Sequence, residues 1–513
     1  MKKFFLDGTN LTIEMIYEIA VAKKGEVLIE LTPESRKKME ASRAYVDKIV
    51  EGGEAVYGIN TGFGALSDKH IPKKDLAKLQ YNLIRSHCTG VGANFPRIIT
   101  RAIMLLRANC LASGYSGVSL ACVELLFDFL HHDICPHVPE KGSVGASGDL
   151  APLSHIALAL IGEGEVEYNH QSMPSSEAIK LIKKEPAQLK AKDGLALING
   201  TAVMAALGSL ALYEAERVVK MADIACAMTL EAVRGTKRAY DLDISLLKPQ
   251  PGQIKVAKNL THLLSEISEI AESHKDCGKV QDPYSLRCVP QVHGAIRQAL
   301  DHARDVLSIE INAVTDNPLI FVDKDKVVSG GNFHGEAVAL CMDYLTMGLS
   351  ELANISERRV EKMMNPTFSD LPAFLTKESG LNSGLMIAHV TMAALASENK
   401  YLSHPASVDS IPTSTDKEDH VSMGVTSGRK LLEGLRNLKN CLAIEFLCNT
   451  QGVELLRPLK LNQALESVQE LIREKVDPIT DDRVFSHDIN AITALISNFK
   501  ILEVVEKQIG ELE

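Results

Sequence analysis

Apolar residues recur at three- and four-residue spacing through most of this chain, and over residues 98–130, 195–228 and 337–363 they do so without interruption. Strands alternate with a period of two and rarely run past about ten residues, so only helices can use a pattern of this length. Residues 76–85, 259–273, 292–313, 383–403, 428–451, 461–476 and 488–511 carry shorter versions of it. Residues 35–50 have legible ends as well: Thr32-Pro33 supplies an N-cap and a first helical residue, and Gly52-Gly53 a stop. Strand-like runs are confined to residues 27–31 and 318–329, the latter resembling a small hairpin around Asp323-Lys324. The chain is therefore expected to be all-α with minor short strands.

Residues 194–213 form a stretch of twenty without a charge, long enough to suggest a membrane span. Asn199, Gly200 and Thr201 near its start would be costly in lipid, so a buried helix in a large helical core is the better expectation. No 20–50-residue repeat and no low-complexity segment is present, which disfavours a solenoid. The loop-rich breaks at 131–152, 235–252, 276–290, 312–335 and 404–424 hold most of the residues capable of chemistry.

With 513 residues, 45% of them hydrophobic and 24% charged, the chain can bury a large core. Its formal charge of −11, with no basic stripe interleaved with aromatics, argues against nucleic acid as a partner. Ten cysteines behind an N-terminus whose apolar run is broken at Asp7 read as reduced thiols in a cytoplasmic protein without membrane attachment.

Residues 142–152 read GSVGASGDLAP. Glycine and serine are common in any loop, but Ala146-Ser147-Gly148 also lets the backbone bend until the Gly148 nitrogen reaches the Ala146 carbonyl carbon. Cyclisation and loss of water, including the Ser147 hydroxyl, would leave a methylidene-imidazolone ring with an electron-poor exocyclic carbon. A serine-hydrolase elbow is excluded, because G-x-S-x-G fails at Asp149. Seven further blocks fall in order along the chain: YGINTGFG at 57–64, RSH at 85–87, LINGT at 197–201, QDPYSLR at 281–287, GNFHG at 331–335, GLNSG at 380–384 and KEDHVSM at 417–423. Together the eight blocks resemble the aromatic amino acid ammonia-lyase family over nearly the whole chain.

That resemblance implies a cofactor formed autocatalytically from Ala146, Ser147 and Gly148, without metal or nucleotide, and elimination of ammonia from a small amino acid. It implies Tyr57 as the base, with Tyr284 and Asn199 as further catalytic groups. Gln281, Arg287, Phe333, His87 and Glu418 are implied as substrate-binding residues. Arginine suits the carboxylate because its planar fork binds bidentately. Members acting on phenylalanine or tyrosine tend to carry an apolar residue in place of His87 and glutamine in place of Glu418. A carboxylate beside a benzene ring would be left without a donor, whereas an imidazole N–H can supply one. Histidine as substrate and urocanate as product are the expectation, with phenylalanine or tyrosine elimination, or an aminomutase, as the alternative within the class and a non-catalytic helical scaffold outside it. The resemblance further implies a homotetramer with a long central helical bundle and shared active sites, an N-terminal cofactor-bearing region over 1–200 and a helical region over 201–513. Ala202, Leu385 and His389 depart from the family's commonest pattern without removing a proposed catalytic group.

Two other groupings are weaker. Residues 131–137 (HHDICPH) crowd possible metal ligands but lack the CxxC or HExxH spacing of zinc sites, so a structural loop is expected. Residues 58–64 are glycine-rich yet fit neither the Walker pattern nor GxGxxG.

Overall fold

The computed structural model of the chain describes residues 1–53, 55–62, 64 and 69–513. It divides into two compact units, each built from three segments: Met1–Tyr213, Arg304–Asp343 and Pro405–Arg429 form the first, and Glu214–Ala303, Tyr344–His404 and Lys430–Glu513 the second. Helices dominate both. The longest, Ala202–Ala232, Glu336–Met364 and Gly424–Leu455, run to 31, 29 and 32 residues, about 44–48 Å at the helical rise per residue. Each of these, like Val289–Glu310, contains a point where the chain passes from one unit to the other. The sequence reading divides the chain once, near residue 200, whereas the units alternate along it. Passage within a helix leaves no linker composition to mark the change.

In the first unit the helix Pro33–Gly52 has the ends its sequence announces. The Thr32 hydroxyl accepts from the Ser35 N–H at 3.1 Å, Pro33 occupies the first turn, and Gly53 closes it in the left-handed region at φ 75°. Val27–Leu31 is a strand, paired in parallel with Lys2–Leu6. Leu319–Phe321 and Lys326–Val328 form the expected hairpin. Lys2–Leu6 and the short strands Cys135–Pro136, Glu165–Tyr168 and Gln171–Pro174 were not anticipated, since runs of two to five residues carry too little alternation to register.

Three periodic stretches are in fact pairs of helices. Residues 98–130 hold Arg97–Ala112 and Leu120–His132, residues 259–273 hold the end of Pro251–Leu263 and Glu269–Ser273, and residues 488–511 hold most of Phe485–Ser497 and Lys500–Ile509. The first two connecting turns contain buried apolar residues of their own, such as Val118 and Leu264, so the hydrophobic pattern runs through the break. The uncharged stretch 194–213 is also corrected. Helix Asp193–Ile198 ends at Asn199, which is extended at φ −93° and ψ 111°, Gly200 turns at φ +148°, and a new helix begins at Ala202. No helix among the described residues is long and apolar enough to cross a membrane.

The first unit buries several cations beneath that bend. Arg107 donates to the carbonyls of Ala196 and Asn199, at the end of helix Asp193–Ile198 where the dipole favours positive charge. Lys192 and Asp316, both fully buried, pair at 2.7 Å. Uncompensated charges there would be strongly destabilising, so these contacts hold the 192–200 turn in one geometry. In the second unit the fully buried Arg359 binds Glu445 at 2.5 Å and donates to His293 Nε2 at 3.3 Å, which leaves His293 Nδ1–H for Asp223 at 2.7 Å.

Candidate active site

The Ala146-Ser147-Gly148 segment lies between strand Pro139–Lys141 and helix Leu150–Leu160, pressed against the bend at Gly200. Gly148 sits at φ +72°, and a Cβ there would lie 2.2 Å from the Gly200 carbonyl oxygen. No other residue type fits this close approach of two backbones. The next N–H, that of Asp149, donates to the same carbonyl at 2.8 Å.

Asp149 locks this arrangement from the other side. Its carboxyl is fully buried and accepts from the N–H groups of Val203 at 2.9 Å and Met204 at 3.0 Å, both in the first turn of helix Ala202–Ala232, and from Ser143 Oγ at 3.0 Å. Burial pushes the carboxyl up from 3.8 to about 7; these three hydrogen bonds oppose the rise and the charge of Glu310 adds to it. Between pH 4 and 7 the folded chain therefore keeps a proton that the unfolded chain releases, and folding stability falls as pH rises through that window. The contribution is on the order of 4 kcal/mol. Asp149→Asn keeps an acceptor and removes the titration. Thermal unfolding followed from pH 4 to 7 should show the wild-type chain losing stability relative to the variant; a constant difference would contradict the assignment.

Ser147 opens onto a cavity of about 280 Å³ lined by Ser86, His87, Ser143, Ala146, Gly148, Thr413 and Glu418 among others. Ser147 Oγ donates to Glu418 Oε1 at 2.9 Å, and Thr413 Oγ1 donates to Glu418 Oε2 at 2.7 Å. His87, at the end of helix Leu76–His87, contacts the Leu83 carbonyl through Nδ1 at 2.8 Å and Ser86 Oγ at 3.1 Å. A carbonyl only accepts, so Nδ1 carries the proton and Nε2 is left as an acceptor. Burial holds His87 below the usual imidazole range, against the Leu83 hydrogen bond and the Glu418 charge. The cavity thus joins a neutral imidazole, a carboxylate and the serine of the unusual tripeptide.

The remaining residues singled out in the sequence divide into two groups. Tyr57, Asn199 and Phe333 lie in the first unit but outside the walls of that cavity. Tyr57 is half-buried in the turn that begins the YGINTGFG block, whose Phe63 falls outside the described residues. Asn199 is buried; its Nδ2 donates to the Asn317 carbonyl at 3.0 Å, while its Oδ1 has no partner among the described residues. Phe333 is half-buried in the loop before helix Glu336–Met364. Gln281, Tyr284 and Arg287 belong to the second unit, where Gln281 and Arg287 line a separate cavity of about 690 Å³. Tyr284 is 70% exposed, with the Arg287 guanidinium 4.6 Å above its ring.

Sequence reasoning missed the parts played by Thr413, Ser143 and Asp149. Asp149 could have been found as an acid directly after the tripeptide, but its target, the first turn of a helix fifty residues later, has no local signal. The 131–137 grouping contributes to the fold: His131 Nε2 accepts from the Ile29 N–H at 2.8 Å, and Asp133 binds Arg97 and Arg101. Another set, His334, Glu336 and His420, brings ligand atoms within 4.8 Å of one another. His334 Nε2 is engaged with the His420 carbonyl at 3.2 Å.

A family model for aromatic amino acid lyases matches residues 11–474. The chain is 48% identical over 503 residues to a histidine ammonia-lyase of Myxococcus xanthus, covering 98% of each. Among solved structures, it is similar to a histidine ammonia-lyase from Trypanosoma cruzi, with TM-score 0.92, 43% identity and coverage of 100% of this chain and 96% of that one. It is also similar to a tyrosine aminomutase from Streptomyces globisporus, with TM-score 0.93, 35% identity and full coverage of both chains.

Proposed function

The chain belongs to the aromatic amino acid lyase family, and we propose that it eliminates ammonia from L-histidine to give trans-urocanate, using an electrophile formed from its own Ala146, Ser147 and Gly148. The observation that carries this reading is the meeting of Ser147, Glu418 and His87 at one cavity. The names of the similar proteins from Myxococcus xanthus and Trypanosoma cruzi support the same substrate.

The residues fit a ring at this position. Gly148 has the conformation and absent side chain that a tight cyclisation requires, and Ser147 Oγ, the atom to be lost as water, faces the cavity. Once formed, the ring supplies an electron-poor carbon that makes the substrate's amine a better leaving group. Tyr57 removes the β-proton, a general-base role of the kind that contributes about 10²–10⁴-fold. Asn199, with its unpartnered Oδ1, orients the amino acid, and Phe333 forms an apolar wall. Arg287 binds the carboxylate, with Tyr284 and Gln281 beside it. The exposure of Tyr284 supports its use, with Gln281 and Arg287, in the site of a neighbouring subunit, within a homotetramer. Ten free thiols, without a disulfide, support a reducing compartment such as the cytoplasm. The chemistry calls for neither metal nor nucleotide.

Substrate choice follows from hydrogen-bonding capacity. Glu418 and neutral His87 are both acceptors, and an imidazole ring brings an N–H to them that a benzene or phenol ring lacks at the same position. Purified protein incubated separately with L-histidine, L-phenylalanine and L-tyrosine should form only urocanate, followed by its ultraviolet absorbance. Cinnamate or coumarate in its place would overturn the substrate assignment. Glu418→Gln should lower kcat/KM for histidine by about 10–100-fold, the scale of a lost hydrogen bond to a charged group, and leave any trace turnover of phenylalanine unchanged. Equal losses on both would remove Glu418 from ring recognition.

A further inference from the structure

Glu418 is held by more than the serine it faces. The segment 413–418 closes on itself through two backbone hydrogen bonds, Thr413 N–H to the Glu418 carbonyl at 2.9 Å and Glu418 N–H to the Thr413 carbonyl at 3.3 Å. Between them Ser414, Thr415 and Asp416 all lie in the left-handed region, at φ 51°, 52° and 63°. Three successive non-glycine residues in that region are individually unfavourable and persist only where surrounding contacts over-determine them. The result is a tight turn that delivers the Thr413 hydroxyl to the Glu418 carboxylate at 2.7 Å.

The two carboxylate oxygens consequently have different partners. Oε1 receives Ser147 Oγ–H and Oε2 receives Thr413 Oγ1–H. Formation of the ring removes the Ser147 hydroxyl, so Oε1 loses that donor and becomes available to a substrate, while Oε2 keeps its own. A carboxylate released at both oxygens would rotate about its terminal torsion, which is broad and roughly two-fold. We propose that Thr413 is a specificity-setting positioning residue: its hydroxyl anchors Oε2 and thereby keeps Oε1 aimed at the N–H of the substrate ring. This rests on the reading that Glu418 recognises that ring.

The test compares Thr413→Val, which exchanges the hydroxyl for a methyl, with Thr413→Ser, which retains the donor, and with Glu418→Gln. Intact mass first verifies that each variant has lost two waters and so carries the ring. Thr413→Val should raise KM for histidine and lower kcat/KM about tenfold with kcat little changed, while Thr413→Ser stays close to the wild-type values. A general loss of structure would instead reduce kcat through the active fraction and would not be rescued by serine. In a Glu418→Gln background Thr413→Val should add little, since the anchored charge is already gone. Thr413→Ala gives the same reading without added bulk if the valine variant is insoluble. Wild-type kinetics in Thr413→Val and Thr413→Ala alongside impaired Glu418→Gln would overturn the positioning role alone. Wild-type kinetics in Glu418→Gln would overturn the ring-recognition reading beneath it.

Discussion

Replacing Ser147 with alanine is expected to leave the chain at its unmodified mass and to reduce histidine elimination by roughly 10⁴–10⁶-fold, the scale on which loss of a covalently acting group disables an enzyme. The wild-type chain should be lighter than its sequence by two waters, one from cyclisation and one from the Ser147 side chain. Stability should barely move, because Ser147 is half-buried and the mature chain has already given up its hydroxyl, with Glu418 still held by Thr413. The separation of effects makes the experiment sharp: thermal unfolding near that of wild type, absence of the mass change, and absence of urocanate belong together. Turnover at more than about a hundredth of the wild-type rate from a chain of unmodified mass would sink the proposed electrophile.

The second large effect is expected at Tyr57. Tyr57→Phe keeps the ring of the side chain in its turn and removes only the hydroxyl, so the variant should still lose two waters during maturation. Histidine turnover should fall by about 10²–10⁴-fold in kcat, with a smaller change in KM, as befits a group that moves a proton in the transition state. A loss of less than about tenfold would transfer the base role elsewhere, with Tyr284 as the next candidate by residue type. Measuring mass and kinetics on one preparation separates a missing base from a missing electrophile.

Much of this site could be read without coordinates because its most unusual element is local. The proposed cyclisation of Ala146-Ser147-Gly148 depends on small residues adjacent in sequence, and the backbone of Gly148 at φ +72° is the conformation that glycine alone adopts freely. Thr32-Pro33 and Gly53 were legible for the same reason, since capping is decided within a few residues. Thr413 illustrates the opposite case. A threonine in a loop of IPTSTDKEDH carries no sign that its hydroxyl will anchor a particular carboxylate, because that depends on three left-handed residues closing the turn.

By itself the sequence determined the helical class and the family, and it singled out the tripeptide and the residue types proposed to surround the substrate, since each depends on residue type and near-neighbour spacing. The tertiary structure decided where the apparently continuous helices break, which carbonyl meets Gly148, which helix Asp149 caps and which cavity joins Ser147 to His87 and Glu418. It also decided that Gln281, Tyr284 and Arg287 belong to a different compact unit from the tripeptide. The physical reason is range. Backbone preference and hydrophobic periodicity act over a turn or two of chain, whereas Ser147 and Glu418 are 271 residues apart and meet only through the packing of everything between them.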